Sequence, residues 1–209
     1  MRPAARVIAR LPQRRRSRRP AAGIAVRPRR AGHGDRHGAF ALHAASCCRR
    51  IIAVDLSEEM LARCWRKAAQ RKVDDIAFRR GGFLTYEHAD EPVDVAVSVA
   101  VLHHLPDFRK GIGLRRIRGM LKPGGRFDLF AVVFPGAEEE IGERIGDWVR
   151  GMKDDVGPEC AAEVETHVRD EFSIYDGIVE GLPERAGFRI DRSDSQGGFG
   201  TAYLCFRED

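Results

Sequence analysis

The sequence predicts an α/β domain built on a mostly parallel sheet, with a basic segment of different character in front of it. Three observations carry this. Short, nearly all-apolar runs such as Ile51–Val54 and Val93–Val101 read as strands buried on both faces. Helical stretches with apolar stripes alternate with these runs from about Gly38 onward, the pattern of right-handed crossovers. Charge is divided sharply along the chain: residues 1–50 hold fourteen arginines, no lysine and one acid, Asp35, a net +13. Since the whole chain carries +5, the remaining residues carry −8.

At 209 residues the chain has room for one domain, and its 43% apolar content suffices for a core. No run approaches the length of a membrane span. The five cysteines are an odd number, and Cys47-Cys48 lacks zinc-ligand spacing. They are expected to be reduced thiols in a cytoplasmic protein, with no metal set.

Taken in order, Ala39–Ser46 reads as a short helix and Ile51–Val54 as a strand ending in Asp55. Ser57 is placed to cap the next helix, with Glu58 and Glu59 in its first turn and Leu61, Cys64, Trp65 and Ala68 as its apolar stripe. Ile76–Arg80 is a strand followed by Gly81-Gly82, and Val93–Val101 is another. Asp107 is expected to cap a helix carrying Leu114, Ile117 and Leu121, stopped by Pro123-Gly124-Gly125 before a strand over Arg126–Phe134. Residues 137–187 break the rhythm with helical faces at Ile141, Ile145 and Trp148, and at Phe172, Tyr175 and Val179. Phe188–Ser195 and Phe199–Phe206 close the chain as a hairpin turning at Gly197-Gly198.

Residues 1–37 form a separate, arginine-rich segment; residues 38–209 are the folded domain. Nucleic-acid arm, transit peptide and twin-arginine signal are the functional readings of the front segment. Pro12, Pro20 and Pro28 interrupt the helix a transit peptide needs, and Ala21–Val26 is short for an export signal. Arg, Ala, Pro, Gly and His without Lys is also what GC-rich DNA yields when read out of frame, and a plain disordered tail has the same look.

In an open parallel sheet, ligands bind at the carboxyl ends of the strands. Those positions are Asp55, Gly81-Gly82-Phe83 and Ser98 through His104. Asp55 has two readings there: a carboxylate that accepts ribose hydroxyls, or a capping acid in a turn.

Longer segments bring context. Ile51 through Leu61 resembles the second-strand motif of class I S-adenosylmethionine-dependent methyltransferases. Val93–Ser98 running into Val101-Leu102-His103-His104-Leu105 is similar to that family's fourth-strand motif, and Leu121-Lys122-Pro123-Gly124-Gly125 to the turn before its fifth. The resemblance covers about residues 38–206 and is nearest to the small-molecule, ubiquinone/menaquinone type. It implies a Rossmann-like methyltransferase fold, a seven-stranded mostly parallel sheet whose last strand is antiparallel. It also implies a helical lid over 137–187, S-adenosyl-L-methionine as cofactor and a small-molecule acceptor.

By that resemblance Asp55 holds the ribose, Leu56 packs on the adenine, Phe83 offers its backbone N–H or its ring to the base with Gly82 beside it, and Val99 and Ala100 line the methionine portion. The glycine-rich first motif corresponds to Gly34-Asp35-Arg36-His37-Gly38, where Arg36 replaces the middle glycine. Arg27–His33 stands where an apolar strand belongs, and Ala21–Val26 is the substitute on offer. Gly34 and Gly38 are the remaining cofactor candidates.

His104 is either a base, a cofactor contact or a structural turn residue. Trp148 and Tyr175 are acceptor-site candidates or lid core, and His167, between Glu165 and Asp170, reads as solvated surface. Two further functions stay open: a non-catalytic remnant that has lost cofactor binding, and a nucleic-acid methyltransferase using the arginine arm. The enclosed lid and acidic domain favour a small molecule over a polymer. A nicotinamide dehydrogenase is disfavoured by the missing G-x-G-x-x-G.

Overall fold

A computed structural model describes residues 23–26, 42, 48–195 and 198–209. The strands are β1 (Gly23–Val26), β2 (Ile51–Asp55), β3 (Ile76–Arg80), β4 (Val93–Val99), β5 (Leu121–Val132), β6 (Phe188–Ser195) and β7 (Gly200–Arg207). They form one sheet in the order β3-β2-β1-β4-β5-β7-β6. All neighbouring pairs from β3 to β5 are parallel, and β7 runs antiparallel to both β5 and β6. The helices are α1 (Glu58–Gln70), α2 (Asp107–Met120), α3 (Glu138–Asp155), α4 (Pro158–Asp170) and α5 (Asp176–Arg185).

The middle of the sheet is held by the shortest strand. Gly23-Ile24-Ala25-Val26 pairs with β2 on one side and β4 on the other, all four residues in register with both. Each flanking strand would otherwise leave a row of backbone groups unpaired in the interior, which is costly. This is the substitute strand offered by Ala21–Val26, two residues shorter at its start.

Pleating sends alternate residues of β2 to opposite faces. Ile51 and Ala53 pack with Cys64 of α1 on one side, while Ile52 and Val54 join the larger core beneath α2. Phe127, Leu129, Phe188 and Tyr203 fill that larger core. Ser57 caps α1 by accepting from the Met60 amide at 3.3 Å. Trp65, expected in the apolar stripe, is 59% exposed; only Cys64 and Ala68 of that helix are buried. This helix packs on β2 and on β3, the edge strand of the sheet.

Three boundaries differ from the sequence expectation. The cap of α2 is Pro106, and Asp107 is already helical, bonded to Lys110. Pro123-Gly124-Gly125 does not precede β5 but bulges inside it. Leu121 pairs with Val93 and Arg126 with Val95, so the extra residues loop out between them. Gly124 takes a left-handed φ of +66°, and a Cβ on Gly125 would stand 2.7 Å from the Lys122 carbonyl, so both positions require glycine. Strand β4 ends at Val99, where Ala100 turns out at φ +51°.

The segment 137–187 holds helices of two kinds. α3 and α4 pack on each other, whereas α5 packs on α2 and β6, burying Val179 and Pro183. α5 is therefore a layer helix of the sheet rather than part of a lid, because its apolar face meets the core. No helix among the described residues is long and apolar enough to cross a membrane.

Candidate active site at the carboxyl edge of the sheet

The ends of β2 and β3 make a continuous ledge. Asp55 closes β2 with 5% exposure, and its carboxylate accepts from the Ser57 amide at 2.8 Å. Gly81 extends β3 by donating its amide to the Asp55 carbonyl at 3.0 Å. Gly82 follows, its amide donating to Thr85 Oγ1 at 3.0 Å. A Cβ on Gly82 would meet the Leu56 side chain at 3.1–3.2 Å. Gly82 and the 40%-exposed Leu56 therefore lie against each other beside the buried carboxylate. The arrangement suits a flat, partly apolar group next to a diol.

The structure turns the Phe83 ring the other way. It is buried in the main core, and a Cβ on Gly113 of α2 would lie 2.8 Å from its Cδ1. Its ring is therefore spent on packing α2 to the sheet, leaving only its backbone near the ledge. Val99 and Ala100 sit at the end of β4, and the Ala100 amide is held by the Phe130 carbonyl at 2.8 Å. The left-handed φ of a non-glycine residue there is local strain of the kind that gathers at functional sites. Gly34 and Gly38, the candidates for the methionine end, lie outside the described residues.

Beyond Ala100 the chain forms a single 3-10 turn, Leu102–His104. His103 is 7% exposed, and burial, followed by the neighbouring His104, His167 and Lys110, pushes its pKa down to about 2. It is a neutral imidazole. Its Nε2 lies 3.5 Å from Glu171 Oε2, and His104 Nδ1 lies 3.2 Å from Glu171 Oε1. His167 Nδ1 also meets Glu171, four residues on at the end of α4, and its Nε2 is 2.8 Å from Ser173 Oγ.

His167 is thus not solvated surface. Its side chain is 11% exposed, its ring centroid 4.7 Å from that of His103. Backbone bonds bring this about: the Phe172 amide donates to the His103 carbonyl at 2.8 Å, and Ser173 Oγ donates to the Val132 carbonyl at 3.1 Å. Lys110, 1% exposed, bonds Asp107 at 2.8 Å and the Phe172 carbonyl. Burial lowers its pKa against the opposing pull of Asp107. The segment 171–173 is in this way fastened to the sheet edge from three strands and helices.

Trp148 of α3 stacks on Phe199 at 4.5 Å and meets His167 edge-on at 5.8 Å. Tyr175 enters α5 and bridges its backbone to Phe134. Of the acceptor-site candidates, Trp148 and His167 therefore join the cluster of His103 and His104, and Tyr175 has a backbone role. Sequence reading missed Glu171. The i, i+4 spacing of His167 and Glu171 is a usable signal, but their return to His103 depends on where the loop after α4 docks.

The strand order and the acid at the carboxyl end of β2 make this a Rossmann-like α/β fold with its candidate site at that edge of the sheet. Comparisons with known proteins agree. Residues 31–129 match the family described as "Methyltransferase domain". The chain is similar to an uncharacterized protein, YafE, of Escherichia coli K12, at 35% identity over 86 residues, 41% of each chain. It is also similar to the 27-O-demethylrifamycin SV methyltransferase of Amycolatopsis mediterranei S699, at 26% identity over 177 residues, 76% of this chain and 64% of that one. The match thus spans less than two thirds of either relative's length.

Among solved structures, the N-methyltransferase NodS of Bradyrhizobium japonicum WM9, in complex with S-adenosyl-L-homocysteine, superposes with a TM-score of 0.62 at 15% identity. That match covers 91% of this chain and 79% of NodS. Residues 31–129 thus resemble the methyltransferase-domain family, and the chain shares its fold with the solved NodS structure.

Proposed function

We propose that this chain transfers the methyl group of S-adenosyl-L-methionine to a small-molecule acceptor by in-line displacement at the sulfonium methyl. The observation that carries the reading is the buried Asp55 carboxylate at the end of β2, with the Gly82–Leu56 ledge beside it. Asp55 takes the ribose hydroxyls, Leu56 and Gly82 face the adenine, and the Phe83 backbone lies at the base. Val99 and Ala100 line the methionine portion, and Gly34 and Gly38, outside the described residues, are the sequence candidates for its carboxylate. The positive sulfur is already a good leaving group, so the protein's main task is alignment.

The relative named for 27-O-demethylrifamycin SV supports an oxygen acceptor. An oxygen nucleophile must lose a proton, and the cluster around His104 at the end of β4 is where that assistance would come from. Helices α3 and α4, with Trp148 against His167, form the acceptor side. The ubiquinone/menaquinone-type resemblance is consistent with a small, partly aromatic acceptor. A second reading, a remnant without cofactor binding, is favoured by Arg36 in place of the middle glycine of the first motif.

Calorimetric titration of the full chain with S-adenosyl-L-homocysteine separates the two. Binding near micromolar strength, about −8 kcal/mol, supports the enzyme. A folded chain that shows no heat of binding supports the remnant.

A further inference from the structure

The cluster after β4 gathers more imidazole than its one carboxylate needs. His103, His104 and Glu171 each offer a ligand atom, and these atoms lie within 4.8 Å of one another. Around a zinc-like ion with bonds of about 2.0–2.1 Å, neighbouring tetrahedral ligand atoms stand about 3.3–3.4 Å apart. The imidazole-to-carboxylate distances of 3.5 Å and 3.2 Å straddle that value. The three ligand atoms, all within 4.8 Å of one another, need to draw together by no more than about 1.5 Å to reach that spacing.

We propose that His103, His104 and Glu171 form a site for one divalent transition-metal ion of the zinc or cobalt type. Two imidazoles and a carboxylate suit such an ion better than magnesium or calcium, which take oxygen ligands. His103 presents its Nε2, and His104 its Nδ1, to the two oxygens of Glu171.

The surroundings supply what a metal site needs outside its ligands. His167 meets the Glu171 carboxylate and is itself held by Ser173, which is bonded to the Val132 carbonyl. Such outer bonds orient a ligating carboxylate. His103 is fixed through its carbonyl by the Phe172 amide. Because Glu171 follows α4 and the histidines follow β4, the ion would tie the helical cover to the sheet edge.

Three protein ligands leave a coordination position open. An acceptor hydroxyl bound there would give up its proton to solvent more readily; its oxygen would then attack the sulfonium methyl as the carbon–sulfur bond breaks, and S-adenosyl-L-homocysteine would leave with the bonding pair on sulfur. This last step rests on the methyl-transfer reading; the ion site does not.

The test is titration of the untagged, chelator-treated full chain with Co²⁺ alone, followed by visible absorption. The expected result is about one equivalent bound with the intense bands of a low-coordinate cobalt centre, bleached by Zn²⁺. Glu171→Gln and His104→Ala should each weaken binding at least about tenfold. His33→Ala/His37→Ala should leave the spectrum unchanged. Glu171→Gln is nearly isosteric, so it remains informative if a histidine variant does not fold. Absence of the bands at millimolar Co²⁺, or bands that persist in Glu171→Gln, would overturn the proposal. Since the readout needs neither cofactor nor acceptor, it is independent of S-adenosyl-L-homocysteine binding.

Discussion

Replacing Asp55 with Asn is the sharpest probe of the proposed cofactor ledge. The carboxylate is 5% exposed and accepts from the Ser57 amide at 2.8 Å at the entrance to α1. Asn retains one acceptor oxygen, so the amide bond at the helix start survives in large part. What it loses is the charge and one acceptor for the ribose diol. Hydrogen bonds to a charged group contribute about 1.5–3 kcal/mol each. Weakening one and inverting another should cost about 2–4 kcal/mol of binding, or about 30- to 1,000-fold in affinity for S-adenosyl-L-homocysteine. Folding stability should fall by only about 1 kcal/mol. Calorimetry gives the first quantity and thermal unfolding the second. A variant that binds within threefold of the parent, with an unchanged melting temperature, would refute the ribose role of Asp55.

The remaining expectations follow from packing and chemistry elsewhere in the domain. Gly113→Ala should destabilise by about 1 kcal/mol, because overpacking against the buried Phe83 ring outweighs the helix-propensity gain, whereas Gly111→Ala should stabilise by about the same amount. Chemical denaturation compares the two directly. Gly82→Val should lower S-adenosyl-L-homocysteine affinity about tenfold by pushing Leu56 across the ledge, read by calorimetry. Lys110→Met keeps the buried stem but leaves the Phe172 carbonyl unpaired; it should cost about 1–3 kcal/mol and speed proteolysis near residues 171–173. Burial pushes the Cys205 thiol up to about 12, so iodoacetamide at pH 8 should spare it in the native protein while modifying the half-buried Cys160, as peptide mass spectrometry would show.

Much of the sheet is legible without coordinates because buried parallel strands have a local signature. Ile51–Asp55 and Ile76–Arg80 fall where apolar runs and their terminators place them. The cap at Ser57 is equally local, since the acceptor and the amide it serves are three residues apart. Boundaries are misread where two neighbours compete. Pro123-Gly124-Gly125 has the composition of a helix stop, but pairing of Leu121 with Val93 draws the whole run into β5 as a bulge. Trp65 fits the apolar spacing of α1, yet it is left 59% exposed.

The sequence by itself determined the alternation of strands and helices, the acid at the end of β2 and the glycines beside it. These depend on contacts between residues close along the chain and on periodicity. Only the tertiary structure decided that Gly23–Val26 fills the centre of the sheet, that the Phe83 ring belongs to the core, and that His167 and Glu171 close over His103 and His104. Each of those outcomes joins segments tens of residues apart. The energy that selects them lies in backbone pairing and burial that exist only once the sheet has assembled.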